Sequence, residues 1–236
     1  MGRPLLLGHR GARKYAPENT MAAFRRALED GCDGFEFDVR LTSDRWAVIC
    51  HDPKFCGAVV ERSSYDRLCE AGSKKNKEIS KLEGVLALGE RAFLNIELKV
   101  GGAEEAIIKL LRKYPRRRGV IVSSFLRKVV VRLQELGSEF ELGLICENRR
   151  QLARWKELPV SAVMVERGLV DEDLVREIRT TPLKPTEGLN GAPGRRVFVW
   201  TVNSAREMRK LAEMGVDGII SDDTKLLVET VGSIVR

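Results

Sequence analysis

The feature that most constrains this chain is an alternation. Short runs rich in β-branched and aromatic residues take turns with longer segments whose apolar residues recur at helical period. Eight runs read as strands: Leu5 to His9, Gly34 to Arg40, Ala92 to Lys99, Gly119 to Ser124, Glu141 to Cys146, Ala162 to Val165, Arg196 to Val202 and Asp217 to Ser221. Trp46 to Cys50 is expected to add a short extra strand. Helical period marks Asn19 to Asp30, Ala103 to Tyr114, Leu126 to Leu136, Arg149 to Lys156, Asp171 to Arg179, Ser204 to Met214 and Thr224 to Val235. Ser64 to Glu70 and Lys81 to Leu88 together supply the remaining connection. Strands that alternate with helices pair in parallel, and eight such units close most simply as a (β/α)8 barrel.

At 236 residues the chain is the size of one such barrel, and it is expected to form a single domain over residues 1–236. Thr181 to Gly194, rich in Pro and Gly, reads as a long loop, and Gly72 to Lys77 as a charged surface turn; neither reads as a linker. An excess of Lys and Arg over Asp and Glu, 41 against 34, favours anionic partners. Five cysteines without regular spacing suit free thiols in a reducing, cytoplasmic setting. Leu5-Leu6-Leu7 is too short for a signal peptide, and no apolar run nears the ~18 residues of a membrane span.

Chemistry concentrates near the amino terminus. Both histidines sit in short polar motifs, His9-Arg10-Gly11 and His51-Asp52, with Glu36-Phe37-Asp38 between them. Residues two apart on a strand share a face, so Glu36 and Asp38 are expected inside the barrel while Phe35, Phe37 and Val39 pack against helices. The same parity pairs Glu97 with Lys99. His9, Asp38, Lys99, Ser123 and Trp200 fall at or near the carboxyl ends of their strands, where barrel enzymes carry their sites. Glu36, Asp38 and Glu97 at one mouth would repel each other unless a cation were present, and all-oxygen ligation suits Mg²⁺, Ca²⁺ or Mn²⁺ rather than zinc. Arg10 and Lys99 would neutralise the oxygens of a phosphodiester, and His9 and His51 would move protons.

At these residues the chain resembles the glycerophosphodiester phosphodiesterase family. The motifs are Leu7-Gly8-His9-Arg10-Gly11, Pro17-Glu18-Asn19-Thr20, Glu36-Phe37-Asp38-Val39, Thr42-Ser43-Asp44, His51-Asp52, Asn95-Ile96-Glu97-Leu98-Lys99, Ser123-Ser124-Phe125, Trp200-Thr201-Val202-Asn203 and Gly215 to Asp222, in the family's order. The resemblance implies Glu36, Asp38 and Glu97 as metal ligands and attack on phosphorus by water or the glycerol 2-hydroxyl. One histidine would be the base and the other the acid; His9 is assigned as base and His51 as acid. Glycerol 3-phosphate and a free alcohol such as choline or ethanolamine would be the products.

Several residues carry a second reading. Glu97 and Lys99 form an internal ion pair either instead of metal ligation or alongside it. Pro17 and Asn19 shape the turn and cap the first helix, whereas Glu18 is the member of that tetrapeptide expected to touch the metal shell or the substrate hydroxyls. Trp200 is either core or a wall against the glycerol carbons. Arg116-Arg117-Arg118 precedes the fourth strand, at the face opposite the site, and reads as a solvated charge run; no specific nucleic-acid motif accompanies it. Cys50, His51 and Cys56 lack a fourth ligand for zinc.

After His51-Asp52 the chain departs from the family's pattern: Pro53 to Val60 and a short connection replace a larger covering excursion, so a reduced lid and a more open mouth are expected. Ser221-Asp222-Asp223, where the family more often has Thr-Asp and proline, reads as a harmless departure. Two rival functions remain alongside hydrolysis of small glycerophosphodiesters. One is a lysophospholipase D-type or sphingolipid-headgroup phosphodiesterase in peripheral contact with a membrane surface; the other is a non-catalytic polyanion-binding barrel. The oligomeric state has no signature in the sequence.

Overall fold

In the computed structural model, residues 2–114, 118–182 and 194–233 are described. Strands β1 (Leu5–Gly8), β2 (Gly34–Leu41), β3 (Phe93–Leu98), β4 (Val120–Ser124), β5 (Glu141–Cys146), β6 (Ala162–Glu166), β7 (Arg196–Trp200) and β8 (Gly218–Ser221) each pair in parallel with their neighbours in chain order. Because β8 also pairs with β1, from Leu5 opposite Gly218 to Gly8 opposite Ser221, the sheet closes on itself and leaves no parallel edge. This is the (β/α)8 barrel that the alternation predicts, and each expected strand lies within a residue or two of its observed limits. The extra strand is present as Ala47–Ile49, antiparallel to Val39–Leu41 of β2.

The helices are α1 (Met21–Glu29), α2 (Tyr65–Ser73), α3 (Leu82–Leu88), α4 (Glu104–Lys113), α5 (Arg127–Glu135), α6 (Arg149–Leu152), α7 (Glu172–Thr180), α8 (Ala205–Met214) and α9 (Thr224–Val231). Thr20, not Asn19, caps α1: its hydroxyl accepts the Ala23 N–H at 3.2 Å. The helix expected over Arg149 to Lys156 breaks after Leu152 and resumes only as a single 3₁₀ turn, Trp155–Glu157. Pro159 explains where that turn stops, since it forces Leu158 into extended backbone before the chain enters β6.

Side-chain parity sorts the interior into two cores. Outward residues of the strands pack under the helices, as where Phe24 of α1 stacks on Phe35 at 4.5 Å and tilts against Phe37 at 5.6 Å. Inward residues Leu7, Phe93, Ile121, Ile145, Met164, Phe198 and Ile220 fill the barrel. Below that plug Arg196 pairs with Glu141 at 2.6 Å at the amino-terminal ends of their strands, and above it, toward the carboxyl ends, lie the histidines and acids singled out in the sequence.

Between the extra strand and α3, Lys54–Phe55 and Ala58–Val59 form a small hairpin not anticipated from the sequence. Its turn runs through Cys56 and Gly57, both at positive φ, a signal weaker than the Asn-Gly pair that usually marks such turns. The hairpin and α2 cover a separate apolar cluster of Val48, Cys50, Val60, Leu68 and Ile79. Arg118 pairs with Asp33 at 3.0 Å, just before β2 and so at the amino-terminal end of the barrel. Arg116 and Arg117, most of the expected loop Thr181 to Gly194 and the end of the expected last helix lie outside the described residues.

Gly34 opens β2 where it runs closest to β3, and a Cβ there would collide with the Phe93 carbonyl oxygen. Gly34→Ala is therefore expected to destabilise the fold by about 1–3 kcal/mol through overpacking, measured as a lowered midpoint in urea; an unchanged midpoint would mean that the strands can spread.

Candidate active site

Glu36 and Asp38 both point into the barrel from β2, and the register that sets Asp38 opposite Glu97 brings in the third carboxylate from β3. All three are buried, and each offers an oxygen within 4.8 Å of the others. Burial first, then the charges of Asp38 and Glu97, push the Glu36 carboxyl well above its usual range. Burial and then Asp38 raise Glu97 to about 7, against the pull of Lys99 and Arg10.

Two cations partly answer these anions. Lys99 Nζ lies 2.7 Å from Glu97 Oε1 and 3.4 Å from Asp38 Oδ1. The guanidinium of Arg10 stands 3.3 Å from Asp38, and its backbone N–H donates to Glu36 Oε2 at 3.0 Å. Thus the ion pair considered for Glu97 and Lys99 is present. It does not saturate the cluster, because three carboxylates face two cations and the Glu36 and Glu97 carboxyls remain pushed above their usual range. Three converging oxygen donors with a residual negative charge fit a hard divalent ion. With such an ion added, the net charge would turn positive, matching a phosphodiester anion.

Each histidine is held by a carboxylate. His9 Nδ1 lies 2.6 Å from Asp222 Oδ1, and Asn203 Nδ2 donates to the other Asp222 oxygen at 2.8 Å. Burial works against the charge on Asp222, but the hydrogen bonds from His9 and Asn203 hold its carboxyl below the usual range. His51 Nδ1 lies 2.8 Å from Asp52 Oδ1, while Arg40 donates twice to the His51 carbonyl at 3.0 and 2.9 Å. A carboxylate can only accept, so Nδ1 carries a proton in both rings and Nε2 is the nitrogen left to exchange protons. His9 Nε2 stands 4.0 Å from Glu36, at the edge of the carboxylate cluster.

A cavity of about 380 Å³ gathers His9, His51, Arg10, Glu36, Glu97 and Lys99 on its polar side. Phe125, Ile145, Met164 and Trp200 form an apolar side. Trp200 stands edge-on to Phe125 at 5.8 Å and donates its indole N–H to the Met164 carbonyl at 3.1 Å, so it is a fixed wall of the cavity. Asp38 lies beneath the cavity surface, 1% exposed, where it braces Arg10 and Lys99. Glu18 does not line the cavity; it bridges Arg10 at 2.9 Å and Arg13 at 2.8 Å. No residue between Pro53 and Ser80 lines it either, so the hairpin segment leaves the mouth uncovered.

Four supporting residues were not recognised as such in the sequence. Asn19, expected to shape the turn and cap α1, has φ of 57° and brackets Asp38, donating to its carboxylate at 2.8 Å and accepting its N–H at 3.3 Å. Asn tolerates left-handed backbone well, which is the signal that marked it. Asp222, read as harmless, orients His9; its place just past the end of β8, on the catalytic face, was the available clue. Asn203 and Arg40 act through hydrogen bonds formed between distant segments; Asn203 closes the motif Trp200-Thr201-Val202-Asn203, whereas Arg40 had no sequence signal.

The model of the Glycerophosphoryl diester phosphodiesterase family matches residues 9–83 and 73–226. A glycerophosphodiester phosphodiesterase of Caldanaerobacter subterraneus subsp. tengcongensis is 29% identical over 97% of this chain and 98% of its own. The crystal structure of the Thermotoga maritima glycerophosphodiester phosphodiesterase superposes with a TM-score of 0.78 at 25% identity, covering 97% of this chain and 99% of that one. A phosphodiesterase of Oleispira antarctica, solved in complex with the product sn-glycerol-3-phosphate, gives a TM-score of 0.81 at 24% identity and covers 98% of each chain. Barrel and site therefore define a phosphodiester hydrolase. The chain belongs to the glycerophosphoryl diester phosphodiesterase family and is an enzyme of that family.

Glu36 and Glu97 bind protons more tightly folded than unfolded, so the stability their protonation contributes is complete below the ordinary value of 4.5 and is lost at higher pH, for Glu97 as pH rises through about 7. A divalent ion would offset that loss. The rise in melting temperature on adding Mg²⁺ or Ca²⁺ is expected to be larger at about pH 8 than at about pH 5, and equal shifts would remove these carboxylates from the binding site. Asp222→Asn should lower kcat roughly 10- to 100-fold while leaving the metal-induced melting shift intact, since it frees the His9 ring without touching the carboxylate cluster.

Proposed function

We propose that the protein hydrolyses glycerophosphodiesters to glycerol 3-phosphate and an alcohol, with the whole chain acting as one catalytic domain. The observation that carries this reading is a single cavity in which two histidines with carboxylate-fixed tautomers flank a three-carboxylate cluster and two cations. Glu36, Asp38 and Glu97 would hold one divalent cation, Mg²⁺ or Ca²⁺, with Mn²⁺ as a further choice. When bound, the ion supplies Lewis acidity at a phosphoryl oxygen.

The residues of the chain divide the remaining work. Arg10 and Lys99 bind the anionic diester oxygens and hold phosphorus over the carboxylate cluster. His9 Nε2 accepts the proton of the attacking hydroxyl, from water or from the glycerol 2-position, as a new P–O bond forms. His51, protonated at Nε2, donates to the departing alkoxide as its P–O bond breaks. Trp200 and Phe125 pack against the glycerol carbons and exclude water from that side. Glu18 acts one step back, orienting Arg10.

With all five cysteines free, two of them partly exposed, the reading extends to a reducing, cytoplasmic setting. Among the described residues no helix is long and apolar enough to cross a membrane.

Release of glycerol 3-phosphate from soluble diesters should depend on an added divalent ion and disappear in EDTA; His9→Ala and His51→Ala should each lower turnover by about 10²–10⁴ without unfolding the protein. Full activity in chelator, or wild-type rates in either variant, would overturn the assignment.

A further inference from the structure

A second concavity opens on the catalytic face. It measures about 320 Å³, lies over the loops that follow β4 and β5, and meets the catalytic cavity at Phe125, which lines both. Its walls carry Arg127, Arg150 and Arg154, and Phe125 and Leu144 supply its apolar surface.

The groove is short of negative charge. One carboxylate, Glu157, serves two of the arginines, at 3.2 Å from Arg127 and 3.4 Å from Arg154. Arg150 pairs with none of the described residues. Helix α5 starts at the same rim with Arg127 and Lys128 in its first turn, no acid there and no side-chain cap at Leu126. Basic residues at that positive helix end repel its macrodipole, a cost that a bound anion would relieve. Gln151 also lines the groove, and because its Oε1 accepts the Glu147 N–H at 2.7 Å, its amide N–H groups are left as donors.

We propose that this groove is a subsite for a phosphate carried on the alcohol half of the substrate, so that the enzyme favours glycerophosphodiesters whose leaving alcohol is a phosphorylated polyol. The inference rests on the hydrolytic reading above and adds no step to it: the same P–O bond is cleaved. Guanidinium forks match phosphate oxygens in pairs, while Phe125 faces the carbon skeleton of the polyol and Gln151 its hydroxyls. Glu147, which lines the catalytic cavity, favours the opposite charge on the alcohol. The arginines outnumber it, and the groove repels a quaternary ammonium.

The test compares kcat/KM for a glycerophosphoinositol phosphate, for glycerophosphoinositol and for glycerophosphocholine, in wild type and in the double variant Arg127→Ala, Arg150→Ala. Wild type should prefer the phosphorylated inositol diester over the unphosphorylated one on the order of tenfold, and added salt should erode that preference. In the variant the preference should vanish while the rate on glycerophosphoinositol holds. Equal rates on the two inositol diesters in wild type, a preference that survives the double substitution, or faster cleavage of glycerophosphocholine would overturn the proposal. If no diester is cleaved, the hydrolytic reading fails separately, and calorimetry with inositol monophosphate decides the subsite. Binding lost in the variant would uphold it, and binding equal in both proteins, or absent from both, would overturn it.

Discussion

Everything at the mouth of this barrel answers one electrostatic problem: three carboxylates from two adjacent strands share a buried site. Left alone they would take up protons, and Glu36 and Glu97 are already pushed that way. Arg10 and Lys99 are drawn in as counter-ions, and their side chains are thereby fixed where a phosphodiester would need them. Their charge falls short of the acids by one. That deficit is what a divalent ion would fill, turning a strained cluster into an anion receptor.

The histidines are organised by the same logic one layer out. Each ring is tied at Nδ1 to an aspartate, Asp222 for His9 and Asp52 for His51, so each offers its other nitrogen to the cavity. His9 and Asp222 come from opposite ends of the chain. Closure of the barrel, through pairing of β8 with β1, is what brings Asp222 to His9. The scaffold therefore sets the orientation of the ring as well as the shape of the cavity. On the far side of the cavity Phe125 and Trp200 provide an apolar wall, and beyond Phe125 lies the groove that carries Arg127, Arg150 and Arg154.

Much of this was legible in advance because strand parity is local. Glu36 and Asp38 face inward between Phe35, Phe37 and Val39 because the period of a strand is two, and Glu97 and Lys99 follow the same rule. The contacts without a sequence signature join residues far apart in the chain or follow no local pattern. Asn19 brackets Asp38 across 19 residues, Arg40 holds the His51 carbonyl from β2, and Asn203 braces Asp222 from the end of β7. Glu18 shows the reverse: its motif suggested contact with substrate or metal shell, yet its oxygens are taken by Arg10 and Arg13.

The sequence by itself determined the barrel and the set of groups at its mouth, since hydrophobic period and residue spacing are properties of the chain taken a few residues at a time. Only the tertiary structure decided how those groups are engaged: which cation meets which carboxylate, which ring nitrogen each aspartate holds, and that a second basic groove adjoins the first cavity. Those outcomes depend on distances of about 3 Å between side chains from different strands. Such distances are set by packing and closure of the whole sheet and by no local stretch of residues.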